Sequence, residues 1–298
     1  MKKTFAAAVL IAAVTLTGCN GETSSTPSEI IVAGGNTAEA EPGLFPVKLP
    51  DGTEIESEPE RIASLSPAAT ELLAELGYSD RLCAVSRYCD YPEGLPEVTA
   101  GSSENPDIDK LTELSPDVVF TMSALAEREM YTLDSAGITV VTLSAPKTLE
   151  DFGKLYGTAA GVFSGSEAGQ AAAEKAVSEL KSSASGVELG TFIYVTPKLT
   201  AAGSDTFESA VLSLCGRNLC TGAGYAELSG ETEAPQYIVA ADSLTEADIS
   251  GNAAYSVMIS SGAKVLFVPA VRFERPSARL SEVFRALSEQ LSGSATAE

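Results

Sequence analysis

The chain of 298 residues contains no histidine, and this absence removes several kinds of enzyme site at once. Histidine is the usual general base, a common zinc ligand and the central member of the Ser-His-Asp triad. The sequence also has no HExxH, GxSxG or GxxxxGK[ST] segment, which are signatures of zinc peptidases, α/β-hydrolases and P-loop NTPases. These absences disfavour an enzyme because its common equipment is missing, and a surface enzyme of another kind is kept as the alternative.

Basic residues are scarce, with 19 Lys and Arg against 41 Asp and Glu, which gives a formal net charge of −22. Nucleic acids and anionic lipid surfaces attract clustered Lys and Arg. The composition therefore predicts no nucleic-acid partner, and it predicts that any membrane contact uses a lipid anchor alone.

The N-terminal segment has the layout of an export signal. Lys2 and Lys3 precede an apolar run over 5–16 that is too short to span a bilayer as a mature helix. The run ends in Leu-Thr-Gly-Cys19, which resembles the lipobox of bacterial lipoproteins. We predict a lipoprotein signal peptide over 1–19, lipidation at Cys19, and an extracytoplasmic protein anchored to the bacterial cell membrane. Residues 20–43 lack an apolar period and are predicted to form a flexible tether.

The four cysteines that remain fall in two close pairs, Cys83 with Cys89 and Cys215 with Cys220. An exported location permits disulfides, but four thiols allow three pairings and the sequence cannot choose among them. Pairing within each close pair is the working expectation. The spacings do not match CxxC or zinc-binding patterns, so no metal site is expected.

The stretch from Arg61 to Gly77 predicts a strand that turns directly into a capped helix. An apolar run over 62–65 is followed by Ser66 as N-cap, Pro67 at the first helical position, and apolar residues at helical spacing. Gly77 follows as the residue that closes the helix. Ligands of open α/β sheets bind beyond the carboxyl ends of strands, so this turn marks a candidate cleft edge.

Strands and helices alternate along the rest of the chain, which favours parallel sheets with right-handed crossovers. One helix is expected to begin at Asn105-Pro106. A long helix without strand signals is predicted over 149–184, with an interruption near 161–166. We therefore predict an N-terminal α/β lobe over 44–146, a helical connector over 147–186 and a C-terminal α/β lobe over 187–298.

Several segments in this order resemble the cluster-A substrate-binding lipoproteins of ABC importers, above all the corrinoid-binding members. They are Arg61 to Gly77, Tyr88-Cys-Asp-Tyr-Pro92, Leu114-Ser-Pro-Asp-Val-Val119, Gly137-Ile-Thr-Val-Val141, Val211-Leu-Ser-Leu-Cys-Gly216 and Phe273-Glu-Arg-Pro276. The resemblance covers about residues 45 to 293. It implies two Rossmann-like α/β lobes joined by a long rigid interlobe helix, the class III periplasmic-binding-protein fold.

The resemblance also implies ligand contacts. Tyr88 matches a family tyrosine that packs on the corrin, and Arg275 matches a cleft arginine of the other lobe. Tyr225 stands where the corrinoid-binding relative has a tryptophan. Met122 and Ser103 stand where that relative has large aromatic residues. Val271 replaces an aspartate, and the chain has no tryptophan at all. Met122 is kept as a ligand contact because methionine packs adaptably.

Two acidic residues match the family's docking positions for the permease dimer, Asp109 in the first lobe and Glu231 in the second. The implied function is capture of a cobalt corrinoid, cobalamin or a cobinamide-like compound, and its delivery to an ABC permease with its ATPase. No cofactor is expected beyond this ligand. A ferric siderophore or heme is the alternative ligand, and a sensor that reports ligand occupancy to a partner is the alternative role.

Overall fold

The first strand-to-helix turn forms as the sequence predicts. The computed structural model describes residues 44–228 and 233–295. The strand β3, Ile62–Ser64, leads to Ser66, whose side chain accepts a hydrogen bond from the Ala68 amide at 3.2 Å. Pro67 is the first residue of the helix α1, Pro67–Glu75. Gly77 follows the helix with a φ of 89°, a conformation that glycine adopts without strain.

The N-terminal lobe contains one four-stranded parallel sheet in the order β4-β3-β5-β6, preceded by a small antiparallel hairpin of β1 and β2. The strands are β1 Val47–Lys48, β2 Glu54–Ile55, β3 Ile62–Ser64, β4 Leu82–Val85, β5 Val118–Thr121 and β6 Thr139–Thr142. The helices are α1 Pro67–Glu75, α2 Ile108–Leu114 and α3 Glu127–Ser135, with a 3-10 turn at Ser79–Arg81.

Helix α2 begins later than the sequence predicts. Its N-cap is Asp107, whose side chain accepts a hydrogen bond from the Lys110 amide at 2.9 Å. Asn105 instead closes a turn, because its amide bonds to the carbonyl of Ser102 at 3.1 Å. The predicted start at Asn105-Pro106 is therefore wrong by two to three residues. A capping aspartate satisfies the free amides of the first turn, which a proline before it cannot do.

The C-terminal lobe contains a six-stranded mixed sheet. Its central strands β7, β11 and β12 are parallel, and β9 pairs in parallel with the start of β7. Strand β8 pairs antiparallel with the end of β7, and β10 pairs antiparallel with β8. The strands are β7 Gly190–Val195, β8 Ala201–Ala202, β9 Gly216–Asn218, β10 Tyr225–Ala226, β11 Tyr237–Ala241 and β12 Lys264–Val268. The helices are α5 Phe207–Leu212, α6 Glu246–Gly251, α7 Ala253–Ser260, α8 Val271–Glu274 and α9 Ser281–Ala295, with a 3-10 turn at Ala278–Leu280.

The connector is the long helix α4, Leu149–Ser183, and it breaks at Gly165, inside the predicted interruption. Gly165 has φ 76° and ψ 176°, outside the helical region. The two arms then fold back on each other. A Cβ built on Gly169 would lie 2.5 Å from the carbonyl oxygen of Gly157, and one on Gly153 would lie 3.1 Å from Val177. Small residues therefore let the arms pack as a close antiparallel pair.

One hydrophobic cluster runs from the N-terminal sheet through α4 to the C-terminal sheet. It joins Phe120 and Val141 of the first lobe to Phe152 and Phe163 of α4, and these in turn to Phe192 of the second lobe. The outer face of each sheet has a separate cluster of its own. Because the inner faces share one core with the connector, relative movement of the lobes must disturb close packing.

The expected disulfides are absent from the described residues, since Cys83, Cys89, Cys215 and Cys220 are all free thiols. The members of each close pair pack on different sides of their sheet. Cys83 contacts the outer cluster of the first lobe and Cys89 the shared core, whereas Cys215 lies in the shared core and Cys220 in the outer cluster of the second lobe. Side chains on opposite faces cannot reach the geometry of a disulfide.

No helix in the described ranges is both long and apolar enough to cross a membrane. The predicted signal peptide with Cys19 and the predicted tether lie outside the described residues.

Candidate functional site

A cavity of about 390 Å³ lies between the lobes, next to the carboxyl ends of the strands. One wall comes from residues that follow β5 and β6, namely Met122 and the segment 145–147. The facing wall comes from the start of α5, from Tyr225 of β10, and from Phe273 in α8 after β12. The cavity thus occupies the place where open α/β sheets bind ligands.

Two of the four predicted ligand residues, Met122 and Tyr225, line this cavity from opposite walls. The Met122 amide donates to the hydroxyl of Ser103 at 3.1 Å, and Ser103 in turn donates to the carbonyl of Leu65 at 3.3 Å. Ser103, only 5% exposed, thus links the ends of β3 and β5 instead of offering a surface to the ligand. Tyr225 is 54% exposed, and its ring is available to a flat ligand.

The Tyr225 hydroxyl donates to both carboxylate oxygens of Glu208, at 2.9 and 3.0 Å. Burial raises the pKa of Tyr225 above its usual value, and the negative charge of Glu208 raises it further. The hydroxyl therefore stays protonated at neutral pH.

The other two predicted ligand residues, Tyr88 and Arg275, lie outside the cavity lining. Tyr88 is 55% exposed in the loop after β4, with the Arg87 guanidinium 5.0 Å from the centre of its ring. The Arg275 side chain is only 19% exposed and forms ion pairs with Glu71 and Asp90 of the other lobe. Arg275 therefore does not share the cavity with Met122 and Tyr225, because its guanidinium bridges the two lobes through Glu71 and Asp90.

Arg275 belongs to a set of polar contacts that we call the interlobe clamp. Its members from the first lobe are Glu71, Glu75, Asp90 and Tyr91, and those from the second are Arg275, Ser277, Ala278 and Arg279. Every one of these contacts joins helix α1 or the loop after β4 to the segment between α8 and α9. The clamp ties the two lobes together next to Pro276, which lines the cavity.

Glu71 is at the centre of the clamp and has no exposed surface. One of its oxygens accepts from Arg275 at 3.5 Å and from Arg279 at 3.3 Å, and the other accepts from the buried Ser277 hydroxyl at 2.9 Å. A buried carboxylate is tolerated only when it is paired in this way. Sequence analysis missed this role. The available sign was an acidic residue beside Leu72 and Leu73 on the apolar side of α1.

Glu75, one helical turn further along α1, makes the second carboxylate contact of the clamp. It accepts hydrogen bonds from the Tyr156 hydroxyl at 2.5 Å and from the Ala278 amide at 2.9 and 3.0 Å. Burial raises the pKa of Glu75 above its usual value despite these bonds. Burial and the Glu75 charge also raise the pKa of Tyr156. Glu75 thus ties α1, α4 and the C-terminal lobe together.

Three carboxylates that sequence analysis did not select also line the cavity: Asp205, Glu208 and Glu274. Asp205 and Glu208 flank the N-cap Thr206 of α5, and Glu274 ends α8 beside Arg275. No group of three or more potential metal ligands occurs anywhere in the residues that the structure describes.

The family model of periplasmic binding proteins matches residues 62–253, which include the four-stranded sheet and every strand of the C-terminal sheet except β12. The chain belongs to this family. Its members are solute-binding transport proteins of ABC importers and not enzymes. They are located outside the cytoplasm and work with a permease and its ATPase. The two lobes and their connector are the class III fold of this family.

The chain is similar to the ABC transporter substrate-binding lipoprotein YvrC of Bacillus subtilis, with 28% identity over 70% of this chain and 69% of the relative. It is 31% identical to a vitamin B12-binding protein of Vibrio cholerae over 53% of this chain, but the match covers only 59% of that relative.

Among solved structures, the periplasmic vitamin B12-binding protein BtuF of Vibrio cholerae superposes with a TM-score of 0.58 and 25% identity, over 78% of this chain and 97% of that one. The periplasmic heme-binding protein HutB of Vibrio cholerae superposes with a TM-score of 0.63 over 78% of this chain and 97% of that one. Its 18% identity shows a shared fold alone.

Asp109, the first predicted docking residue, is exposed in the first turn of α2. Glu231, the second, lies outside the described residues, as does Cys19. The docking and lipidation roles of these residues stay predictions, as do the ligand roles of Tyr88, Met122, Tyr225 and Arg275.

Proposed function

We propose that this binding protein captures a corrinoid, cobalamin or a cobinamide-like compound, and delivers it to an ABC permease with its ATPase. The observation that carries the proposal is the interlobe cavity, with Met122 on one wall and Tyr225 and Phe273 on the other. Apolar and aromatic faces on two sides suit a flat macrocycle. The similarity to vitamin B12-binding proteins supports the same ligand class.

The cobalt of a corrinoid is already coordinated by the ligand itself, so the protein mainly supplies apolar contact surfaces and hydrogen-bond partners. Heme more often takes an axial ligand from the protein, usually His, Cys, Met or Tyr. The chain has no histidine, which removes one common axial ligand. A ferric siderophore or heme is the alternative, favoured by the replacement of large aromatic residues at Ser103 and Met122.

The test is calorimetric titration of the full chain, purified in detergent, with cyanocobalamin and with cobinamide. We expect binding in about equimolar ratio, and about tenfold or greater weakening by Tyr225→Ala and by Met122→Ala, because each removes a contact face in the cavity. Tyr131→Ala is the matched control, since Tyr131 is 73% exposed on α3 and outside the cavity lining. Tight binding of hemin or a ferric siderophore with no corrinoid binding would replace the proposal by its alternative.

We further propose that Asp109 and Glu231 dock the two lobes on the permease and that Cys19 carries the lipid anchor. Charges at the rim of an interface mainly control encounter and orientation. Asp109→Ala combined with Glu231→Ala should therefore abolish corrinoid uptake by cells while the purified variant still binds ligand. Loss of ligand binding in that variant would place these residues in the pocket instead. Cys19→Ala should release the protein from the membrane fraction, and its retention there would contradict the anchor.

A further inference from the structure

The interlobe cavity has an uneven distribution of charge. Asp205, Glu208 and Glu274 line it from the C-terminal lobe, and Lys147 is the one basic residue among the described residues that line it. None of the three carboxylates forms an ion pair within the described ranges. The wall that carries Tyr225 is therefore an acidic, hydrogen-bond-accepting surface.

Local hydrogen bonds hold two of these carboxylates at the cavity. Asp205 accepts from the Gly224 amide at 2.6 Å, and Glu208 accepts from Tyr225 through both oxygens. These partners are neutral donors, so they orient the carboxylates without cancelling their charge. Free acceptor positions remain on each, because a carboxylate offers about four lone-pair sites.

The arginines nearest to Glu274 in sequence are bound elsewhere. Arg272 pairs with Glu282 at 2.8 Å, and Arg275 pairs with Glu71 and Asp90 in the interlobe clamp. The negative field is felt by Tyr194, whose pKa is raised first by burial and then by charges that include Glu208, Asp242 and Glu274. The position of the three carboxylates and their lack of ion pairs within the described ranges make this cavity wall negative.

We propose that Asp205, Glu208 and Glu274 make this site select metal chelates whose outer groups are neutral amides or cations, and reject chelates that carry carboxylates. The inference rests on the proposed function, that the cavity holds a metal chelate. Amide N–H groups on a ligand rim can donate to this wall. A ligand carboxylate would instead face like charges in a partly desolvated space, and such repulsion is a recognised source of specificity.

The test compares two ligands with the same corrin ring, cobinamide and cobyrinic acid. Cobyrinic acid ends in carboxylates where cobinamide has amides. Titration of the full chain should show cobinamide binding at least about tenfold more tightly. The Glu208→Gln, Glu274→Gln double variant should lower the ratio of the cobinamide affinity to the cobyrinic acid affinity by about tenfold. Glutamine keeps the shape of the side chain and a hydrogen-bond acceptor but loses the charge.

The matched control is Glu188→Gln with Glu246→Gln, which removes the same net charge from exposed positions outside the cavity. We expect the control to leave the affinity ratio unchanged. Equal binding of both corrinoids by the unaltered protein, or an unchanged ratio in the Glu208 and Glu274 variant, overturns charge selection but leaves corrinoid capture intact. Failure of both corrinoids to bind overturns the proposed function, and charge selection with it.

Discussion

Replacement of Glu71 by alanine tests whether the interlobe clamp holds the lobes together. The side chain is fully buried and receives three hydrogen bonds from the C-terminal lobe, from Arg275, Arg279 and Ser277. Removal of the carboxylate leaves two guanidinium groups and a buried hydroxyl without their shared acceptor. It also leaves a cavity between α1 and the segment that precedes α9.

The size of the effect follows from burial. Removing one partner of a buried ion pair costs about 3–5 kcal/mol, because the remaining charge is left unpaired. Here Arg275 keeps Asp90 and Arg279 keeps Glu282 as carboxylate partners, and their side chains are 19% and 22% exposed, so neither charge is left wholly unpaired. We therefore expect a loss near the lower end, about 3 kcal/mol. For a domain of this size that corresponds to a fall in melting temperature of about 6–12 °C. Glu71→Gln keeps an acceptor and should lose less.

The assay is thermal and urea unfolding of the two Glu71 variants beside a control, Glu58→Ala. Glu58 pairs with Arg81 at 2.6 Å, but their side chains are 52% and 31% exposed. Exposed pairs contribute about 0–1 kcal/mol, so the control should change stability little. A loss below about 1 kcal/mol for Glu71→Ala, or a loss no greater than that of the control, would refute the role of the clamp.

Three further predictions concern pH, helix packing and thiols. Burial raises the pKa of Glu75 in the folded protein above its ordinary value of 4.5. The protonated carboxyl therefore stabilises the fold at low pH, and this contribution is lost as the pH rises from 4.5 through the raised pKa of the folded state. Urea unfolding across this window should show a flatter profile for Glu75→Gln, and an unchanged slope would contradict the shift. Gly169→Ala should lower the free energy of unfolding by about 1–3 kcal/mol, because the new Cβ would lie 2.5 Å from the carbonyl oxygen of Gly157. In Gly161→Ala the new Cβ would have its nearest neighbour, Leu49, at 3.9 Å, so the free energy of unfolding should rise by about 0.5–1 kcal/mol. Equal melting temperatures of the Gly169→Ala and Gly161→Ala variants would refute the close packing of the arms. Thiol titration of the denatured, unreduced protein should find all four described cysteines reactive, whereas the loss of two would reveal a disulfide.

The sequence by itself determined the local structure of this protein. The Ser66 cap, Pro67 at the first helical position and the positive φ of Gly77 follow from rules that act within a few residues. The break at Gly165 is of the same kind. The order of strands and helices also sufficed for α/β lobes with parallel strands, because alternation restricts the possible topologies. The family followed from the resemblance of particular segments, among them Arg61 to Gly77 and Phe273 to Pro276.

Only the tertiary structure decided which side chains meet. Arg275 lies 204 residues from Glu71 along the chain, and nothing local distinguishes an interlobe arginine from one that lines a cavity. Cys83 and Cys89 are close in sequence but pack against different clusters. The negative wall at Glu208 and Glu274 likewise exists only because α5 and α8 meet at one cavity. Such pairings depend on how the sheets orient their faces, and periodicity within a segment carries no information about that.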